Sequence, residues 1–145
     1  MTNPFQPGDR KTTAYRVRPE DFADFGTATG GLVHQVLSTF ALGREMEWVA
    51  RLFVLDMKAA DEEGIGTELA IQHHNPAFAG ETLTLTATFV ALDGSCLRCA
   101  VEARVGPRLV ATGHTGQRIV ARARLAARFA ALQAEAAPTS PEPPQ

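Results

Sequence analysis

Hydrophobic residues crowd the stretch 36–50 with the periodicity of an α-helix. On steps of 100° per residue they form two apolar stripes, Leu42, Met46, Val49 and Phe53 on one side and Ala41, Trp48, Leu52 and Leu55 on the other. A helix that is apolar on nearly every side belongs inside a fold. We therefore predict a buried central helix from about Ser38 or Thr39 to about Ala60, closed by Gly64.

The pattern changes from helix to strand after this segment. Residues 81–92 alternate apolar side chains with threonines, and Asp93-Gly94 is a strong signal for a two-residue hairpin turn. The predicted strands are 12–17, 65–74, 81–92, 95–105 and 108–120. Residues 21–31 are expected to form a loop or a short turn of helix that could cover a site, and 121–137 a helix by propensity.

The order of elements is a strand, a long buried helix and four consecutive antiparallel strands. A strongly curved antiparallel sheet can bury such a helix by wrapping around it. We therefore predict an α+β chain with the hotdog fold, which works as a dimer or larger assembly. The domain should span 11–137, between a flexible arm (1–10) and a tail (138–145) whose prolines predict disorder.

Composition narrows the function classes. The 145 residues suffice for one domain with a real core, and the formal charge of −2 does not suggest a nucleic-acid partner. No apolar run approaches the roughly 20 residues that span a bilayer. The chain shows no basic region followed by an apolar segment near its start, so we expect a cytoplasmic protein without a membrane partner.

The two cysteines, Cys96 and Cys99, have the C-x-x-C spacing of many metal and redox sites. On a strand, however, a spacing of three directs the two side chains to opposite faces. A zinc site would also need a second ligand pair at a suitable spacing. We therefore expect two free thiols and no metal.

Glu47 is the residue of the helix that most needs an explanation. A carboxylate on a mostly buried helix is costly unless it is paired or used. An i,i+4 ion pair with Arg51 is one explanation, and catalysis is the other. Gly43, one turn earlier, costs about 1 kcal/mol relative to alanine, which makes sense if something approaches the helix surface there.

Five short motifs in order resemble the hotdog thioesterases of the fluoroacetyl-CoA thioesterase family, over roughly residues 30–130. They are Thr39-x7-Glu47-Trp48, Gly66-Thr67-x5-His73, Asn75-Pro76-Ala77-x2-Gly80, Gly113-x4-Arg118 and Arg128-Phe129. The resemblance implies hydrolysis of acyl-CoA thioesters by a catalytic trio, Thr39, Glu47 and His73. It also implies that the Gly66 N–H binds the thioester carbonyl and that Arg118 lies near the site.

The sequence departs from this family at two places. Phe40 stands where relatives often have proline, and we expect it to contact the substrate. The family's two lid phenylalanines correspond to Gly30 and Val33, while Phe22 and Phe25 lie further upstream. The resemblance therefore implies thioester hydrolysis without implying fluoroacetyl-CoA as the substrate.

Each implied role has a structural alternative. Thr39 could be a helix N-cap, and His73 or its neighbour His74 could simply be satisfied by local hydrogen bonds, only one of the two facing the helix. Gly66 could mark a strand bulge, and Arg118 could be an exposed cation. The arginines of the last helix are expected to form a solvated face, although a CoA phosphate would suit them; they are Arg122, Arg124 and Arg128.

The sequence thus predicts an acyl-CoA thioesterase for small or medium acyl groups, assembled as a homodimer or a dimer of dimers. CoA would carry the leaving group, so no cofactor is expected. A non-catalytic acyl-CoA-binding hotdog protein is the alternative, because Phe40 replaces the proline. Enoyl-CoA hydration is less favoured, because no Asp/His pair has a suitable spacing.

Overall fold

The computed structural model describes residues 1–26 and 30–136, so the predicted tail lies outside the described residues. Within these ranges it contains seven strands, two α-helices and a 3-10 turn. The strands are β1 (Arg10–Arg16), β2 (Phe22–Asp24), β3 (Leu32–Leu37), β4 (Glu62–His73), β5 (Thr82–Asp93), β6 (Cys96–Val105) and β7 (Arg108–Ala121). The helices are α1 (Thr39–Met57) and α2 (Arg122–Ala136), and the 3-10 turn is Pro19–Asp21.

Five strands form one antiparallel sheet in the order β1-β5-β6-β7-β4. Its inner face packs on α1, and together they enclose the hydrophobic core. Core side chains include Leu42, Met46, Val49, Phe53 and Val54 of the helix and Leu83, Leu85, Leu97, Val101, Val110 and Ile119 of the sheet. This arrangement confirms the predicted α+β hotdog fold. The face of the sheet away from α1 is called the outer face below.

The ends of α1 differ from the prediction. Ser38 is the N-cap, and its hydroxyl accepts a hydrogen bond of 3.1 Å from the Ala41 N–H. The helix stops at Met57 rather than near residue 60. Gly64 does not close it: this glycine lies within β4, where a Cβ atom would come 2.5 Å from Val54 Cγ1. Its missing side chain lets the strand pack closely on the helix.

One side of α1 is open. Phe40, Trp48 and Leu55 are 57%, 45% and 42% exposed, whereas the opposite side of the helix is fully buried. Of the second apolar stripe, Ala41 is buried as predicted, whereas the prediction of burial is wrong for Trp48 and Leu55, because the single sheet covers only one side of the helix. Exposed apolar side chains in a row are typical of interaction surfaces.

The segment 21–31 contains more structure than the predicted loop. After the 3-10 turn, β2 and β3 form a small antiparallel hairpin against the start of α1. Residues 27–29 of this segment lie outside the described residues. The hairpin is anchored through Asp21, whose carbonyl accepts a hydrogen bond of 2.8 Å from the Ser38 N–H.

The side chain of Asp21 is the centre of a polar network that ties β1, the 3-10 turn and α1 together. It is 2% exposed and accepts hydrogen bonds from Tyr15 Oη (2.6 Å), the Arg18 N–H (3.0 Å) and Arg44 Nη2 (3.2 Å). Burial alone would raise the pKa of Asp21, but these hydrogen bonds outweigh burial and hold the pKa below its usual value.

The first nine residues make specific contacts with the core. The Thr2 N–H donates to the Met57 carbonyl at 2.9 Å, and the Phe5 ring packs edge-on against Phe53 with 4.9 Å between centroids. The terminal ammonium of Met1 lies 2.9 Å from Glu62. The segment expected as a flexible arm is therefore held against the end of α1.

Among the described residues, neither helix is long and apolar enough to cross a membrane.

We predict that Asp21→Asn lowers the free energy of unfolding by about 2 kcal/mol, because it weakens a buried, charge-assisted network. The folded state lowers the pKa of Asp21, so the stabilisation is fully present above about pH 4 and is lost as the pH falls through the lowered value. The difference in the free energy of unfolding between wild type and variant should therefore become smaller as the pH falls, which urea unfolding at several pH values measures. The control is Asp24→Asn, since Asp24 is exposed on the same hairpin. An equal loss in both variants would contradict this role of Asp21.

Candidate active site

Thr39 and His73 meet at the start of α1. Because Ser38 provides the N-cap, the Thr39 hydroxyl does not serve the helix end, and its Oγ1 lies 3.1 Å from His73 Nδ1. The distance is that of a hydrogen bond. The alternative that Thr39 is only a cap is thus not realised.

The second ring nitrogen of His73 is an unusual feature. Its Nε2 atom is buried and has no hydrogen-bond partner among the described residues. Burial lowers the pKa of His73 below its usual 6.5; a hydrogen bond with the Asn75 backbone opposes this, and the charge of His74 adds to it. A neutral ring at pH 7 follows. His74 points elsewhere, with its Nε2 2.8 Å from Thr112 Oγ1, as expected for neighbouring residues on a strand.

Glu47 lies directly against Gly66 of β4. A Cβ atom at position 66 would come 2.2 Å from Glu47 Oε1, so the carboxylate occupies the space that a side chain would need. The predicted alternative, an ion pair with Arg51, is not formed. Arg51 instead donates to Glu63 Oε1 (2.6 Å) and to the Gly64 carbonyl (3.0 Å). Within the described ranges, Glu47 takes part in no ion pair.

Gln117 was not found by sequence reasoning. It lies on β7 opposite Gly66, is 2% exposed, and its Nε2 donates to the Glu47 main-chain carbonyl at 3.3 Å. The available signal was a polar residue at an inward position of β7, between the buried Thr115 and Ile119. Beside it, β4 carries a bulge between Gly66 and Glu68, so the bulge predicted as the alternative for Gly66 is present.

The two pairs, Thr39 with His73 and Glu47 with Gly66, are separate within one protomer. Thr39 and Glu47 are eight residues apart, which is about 12 Å along a helix axis. Gly43 lies midway, and a Cβ there would come 3.0 Å from Ile71 Cδ1. The close approach predicted at Gly43 is therefore that of an apolar side chain of β4.

Two adjoining clefts open beside these pairs. The cleft at Thr39 has a volume of about 720 Å³, and the cleft at Glu47 about 450 Å³; Phe40 and Leu69 line both. The larger cleft is also lined by Phe25 of the hairpin region, whose ring centroid lies 6.1 Å from that of Phe40. The segment 21–31 thus borders the candidate site, and Phe25 contributes an aromatic wall that the motif comparison did not assign.

Arg118 is not part of either pair. It lies on β7 opposite Ile65, and since its neighbour Gln117 faces α1, Arg118 projects from the outer face of the sheet. There it lines a different pocket, together with Arg124 and Arg128 of α2. Arg118, which the resemblance places near the site, is therefore close to Gly66 along the β4–β7 ladder. Its side chain, however, lies on the outer face of the sheet, whereas the candidate site lies on the inner face.

The cysteines of β6 are free. Cys99 faces the core, and burial raises the pKa of its thiol to about 12, while Cys96 is partly exposed. Among residues 1–26 and 30–136 no group of three or more His, Cys, Asp or Glu side chains is arranged to hold a metal ion.

The chain is similar in structure to several solved proteins. A Thermus thermophilus hypothetical protein described as a thioesterase superfamily member is 27% identical, with a TM-score of 0.86 over 92% of this chain and 97% of that one. The fluoroacetyl-CoA thioesterase FlK is 21% identical, with a TM-score of 0.76 over 86% and 95%. A hot-dog-like protein from Thermanaerovibrio acidaminovorans is 21% identical, with a TM-score of 0.77 over 86% and 90%. No curated protein sequence matches significantly.

The sequence model of one protein family also matches the chain. Its description is fluoroacetyl-CoA-specific thioesterase, and the match spans residues 17–123, which include both residue pairs described above and most of the sheet. The chain therefore belongs to the fluoroacetyl-CoA-specific thioesterase family.

Proposed function

We propose that this protein hydrolyses the thioester of a small or medium acyl-CoA, releasing the free acid and CoA, with Glu47 as nucleophile or general base. The observation that carries the proposal is the position of Glu47. Its carboxylate has no ion-pair partner among the described residues, borders an open cleft and lies against the bare backbone of Gly66. Leaving a carboxylate unpaired at this place is costly unless the group is used.

The geometry of this pair is compatible with two routes. In the direct route, a Glu47 oxygen attacks the thioester carbonyl, the C–S bond breaks, and the thiolate leaves and takes up a proton. Water then hydrolyses the resulting mixed anhydride and restores the carboxylate. In the alternative route Glu47 removes a proton from the attacking water. In both, the unobstructed Gly66 N–H serves as a donor to the developing oxyanion.

Thr39 and His73 supply the second half of the chemistry. A neutral histidine can take up a proton from the hydrolytic water and, once protonated, pass it to the CoA thiolate, while the Thr39 hydroxyl holds its ring in place. About 12 Å of helix separates this pair from Glu47 of the same chain. We propose that a homodimer formed through the open side of α1, where Phe40, Trp48 and Leu55 are exposed, joins the two halves of the site.

The larger cleft is the proposed acyl site. Its walls are mainly apolar, from Phe25, Val33, Phe40, Leu69 and Ile71, and they include no Asp, Glu, Lys or Arg side chain among the described residues. Within the described ranges, the polar lining is limited to His34, Ser38 and Thr39, so the cleft suits an acyl group that is mainly apolar. The aromatic pair at its mouth favours acyl groups large enough to reach it.

The first experiment is thiol release from acyl-CoAs of two to sixteen carbons and from aryl-acyl-CoAs. We predict that Glu47→Gln lowers turnover of the best substrate by about two orders of magnitude or more, because an amide is neither nucleophile nor base at this position. Glu45→Gln, two residues earlier and paired with Arg44, is the matched control and should keep activity.

The other outcomes of this experiment separate the alternatives. Binding of acyl-CoA without thiol release would support the non-catalytic binding protein, and a hydroxyacyl-CoA product would indicate hydration. Full turnover by Glu47→Gln would place the chemistry on another residue.

We further predict that Phe40→Ala and Phe25→Ala raise KM for the preferred acyl-CoA about tenfold, because each removes an aromatic wall of the acyl cleft. The effect on acetyl-CoA should be smaller, since a two-carbon acyl group fills less of the acyl cleft than a longer one. Phe78→Ala removes an aromatic ring that is likewise exposed but lies outside the cleft, and serves as the control. Equal losses for every acyl length would contradict this assignment.

The proposed dimer makes a separate prediction. Trp48→Glu places a charge on the open side of α1, and should shift the protein from dimer to monomer in light scattering coupled to size exclusion. Thiol release should fall with it if the site needs both protomers. The control is Arg16→Glu on β1, the edge strand farthest from β4. It also makes the protein more negative, and it should leave the dimer intact. A wild-type monomer that is fully active would overturn the proposal.

A further inference from the structure

A pocket of about 340 Å³ lies between α2 and the outer face of the sheet, away from both clefts. Three arginines line it: Arg118 from β7, and Arg124 and Arg128 from α2. The two helical arginines are four residues apart and therefore project from the same side of the helix. The hydroxyl-bearing residue Ser95 completes its polar lining.

No carboxylate neutralises this cluster. The lining contains no Asp or Glu, and among the described residues none of the three arginines takes part in an ion pair. Arg122, at the start of the same helix, differs from them because its guanidinium lies 3.2 Å from Glu63 Oε2. The three guanidinium groups are exposed and have no ion-pair partner in the described part of the chain, so they are free to bind an anionic ligand, and their joint positive potential favours one.

We propose that this pocket binds the nucleotide end of CoA, with the arginines on its phosphate groups. The inference rests on the proposed thioesterase function and names the second contact surface of the same substrate. Guanidinium groups bind phosphate oxygens in a bidentate manner, and CoA carries a pyrophosphate and a 3′-phosphate. The remaining walls, Ile65, Val120 and Leu125, are apolar and suit the face of an adenine ring.

The location agrees with this ligand. Ile65, which lines the pocket, directly precedes Gly66, against which the Glu47 carboxylate lies. The two sites are therefore on opposite faces of the same step of the β4–β7 ladder. β4 is an edge strand of this sheet, so no further described strand of the same protomer separates the two faces at this step. The unbranched end of the pantetheine arm can pass this edge and connect the nucleotide with the thioester.

The pocket can be tested without turnover, by calorimetric titration with adenosine 3′,5′-bisphosphate and with CoA. The double variant Arg124→Gln/Arg128→Gln keeps good helix formers at exposed positions and should fold as the wild type does. We expect it to bind both ligands at least tenfold more weakly, because two charge-assisted contacts are lost. Arg16→Gln, on β1 at the opposite edge of the sheet, removes a single charge and should bind as the wild type does. Arg16→Gln/Arg10→Gln, also on β1, matches the double variant in charge.

Kinetics provide the second arm of the test. With the best acyl group, the double variant should raise KM for acyl-CoA about tenfold, with unchanged kcat and unchanged hydrolysis of the acyl-pantetheine, which lacks the nucleotide. The wild type's preference for acyl-CoA over acyl-pantetheine should weaken with added salt.

The outcomes distinguish this proposal from the proposed function. Nucleotide binding that the double variant loses, with no thiol release from any substrate, would support the pocket and overturn the thioesterase. Thiol release with equal nucleotide affinity in wild type and double variant would support the thioesterase and overturn the pocket. A double variant that also loses acyl-pantetheine hydrolysis would show a structural effect of the arginines and overturn the binding role.

Discussion

The close approach of α1 to β4 is the constraint on which the rest of this structure depends. Positions on both elements lack side chains where the two meet. At Gly64 a Cβ would strike Val54, and at Gly66 it would come within 2.2 Å of the Glu47 carboxylate. Protein interiors are packed densely enough that even one methyl group is felt at such a contact. The same approach therefore builds the core and sets the carboxylate against the strand.

This constraint also explains why polar chemistry is found beside the core. β4 is the last strand of the sheet, so the helix side that faces it is only partly covered. Glu47 reaches the strand while keeping access to a cleft, and His73 reaches Thr39 near the helix start. If the sheet covered this side of the helix completely, an apolar residue would be needed in place of Glu47. If it left this side fully open, His73 would lie in water and its pKa would not be lowered.

Most of the architecture could be predicted from the sequence, because it depends on periodicity and turn residues. The alternation in 81–92 and the Asp93-Gly94 turn define a hairpin that the structure contains. The end of α1 could not be read in this way. From the sequence, Gly64 looks like the residue that ends the helix. Only the tertiary contact with Val54 shows that this glycine lets β4 pack closely on α1. Trp48 and Leu55 likewise look like core residues, because the sequence pattern alone does not show how many sides of the helix the sheet of the same protomer covers.

The site was predictable in part. The motif spacing selected His73 over His74, and the structure places only His73 against Thr39. Asp21 gave no signal, because its partners Tyr15 and Arg44 lie at no recognisable spacing from it, on other elements, and each is ordinary alone. The arginines of α2 were expected to form a solvated face, and periodicity alone could not show that Arg118 projects toward them from β7.

Three features of the molecule contribute nothing evident to its stability. They are a carboxylate without an ion pair, a buried ring nitrogen without a partner and an arginine cluster without a counter-charge, each stated for the described residues. His73 Nε2 gives up hydrogen bonds to water without replacement, which is unfavourable for folding. The surrounding fold compensates through a continuous apolar core and through networks such as that of Asp21. Since a ligand that binds only the folded state stabilises it, a thioester at Glu47 and phosphates at the arginines would add stability on binding, and the two sites would then act on the two ends of one substrate.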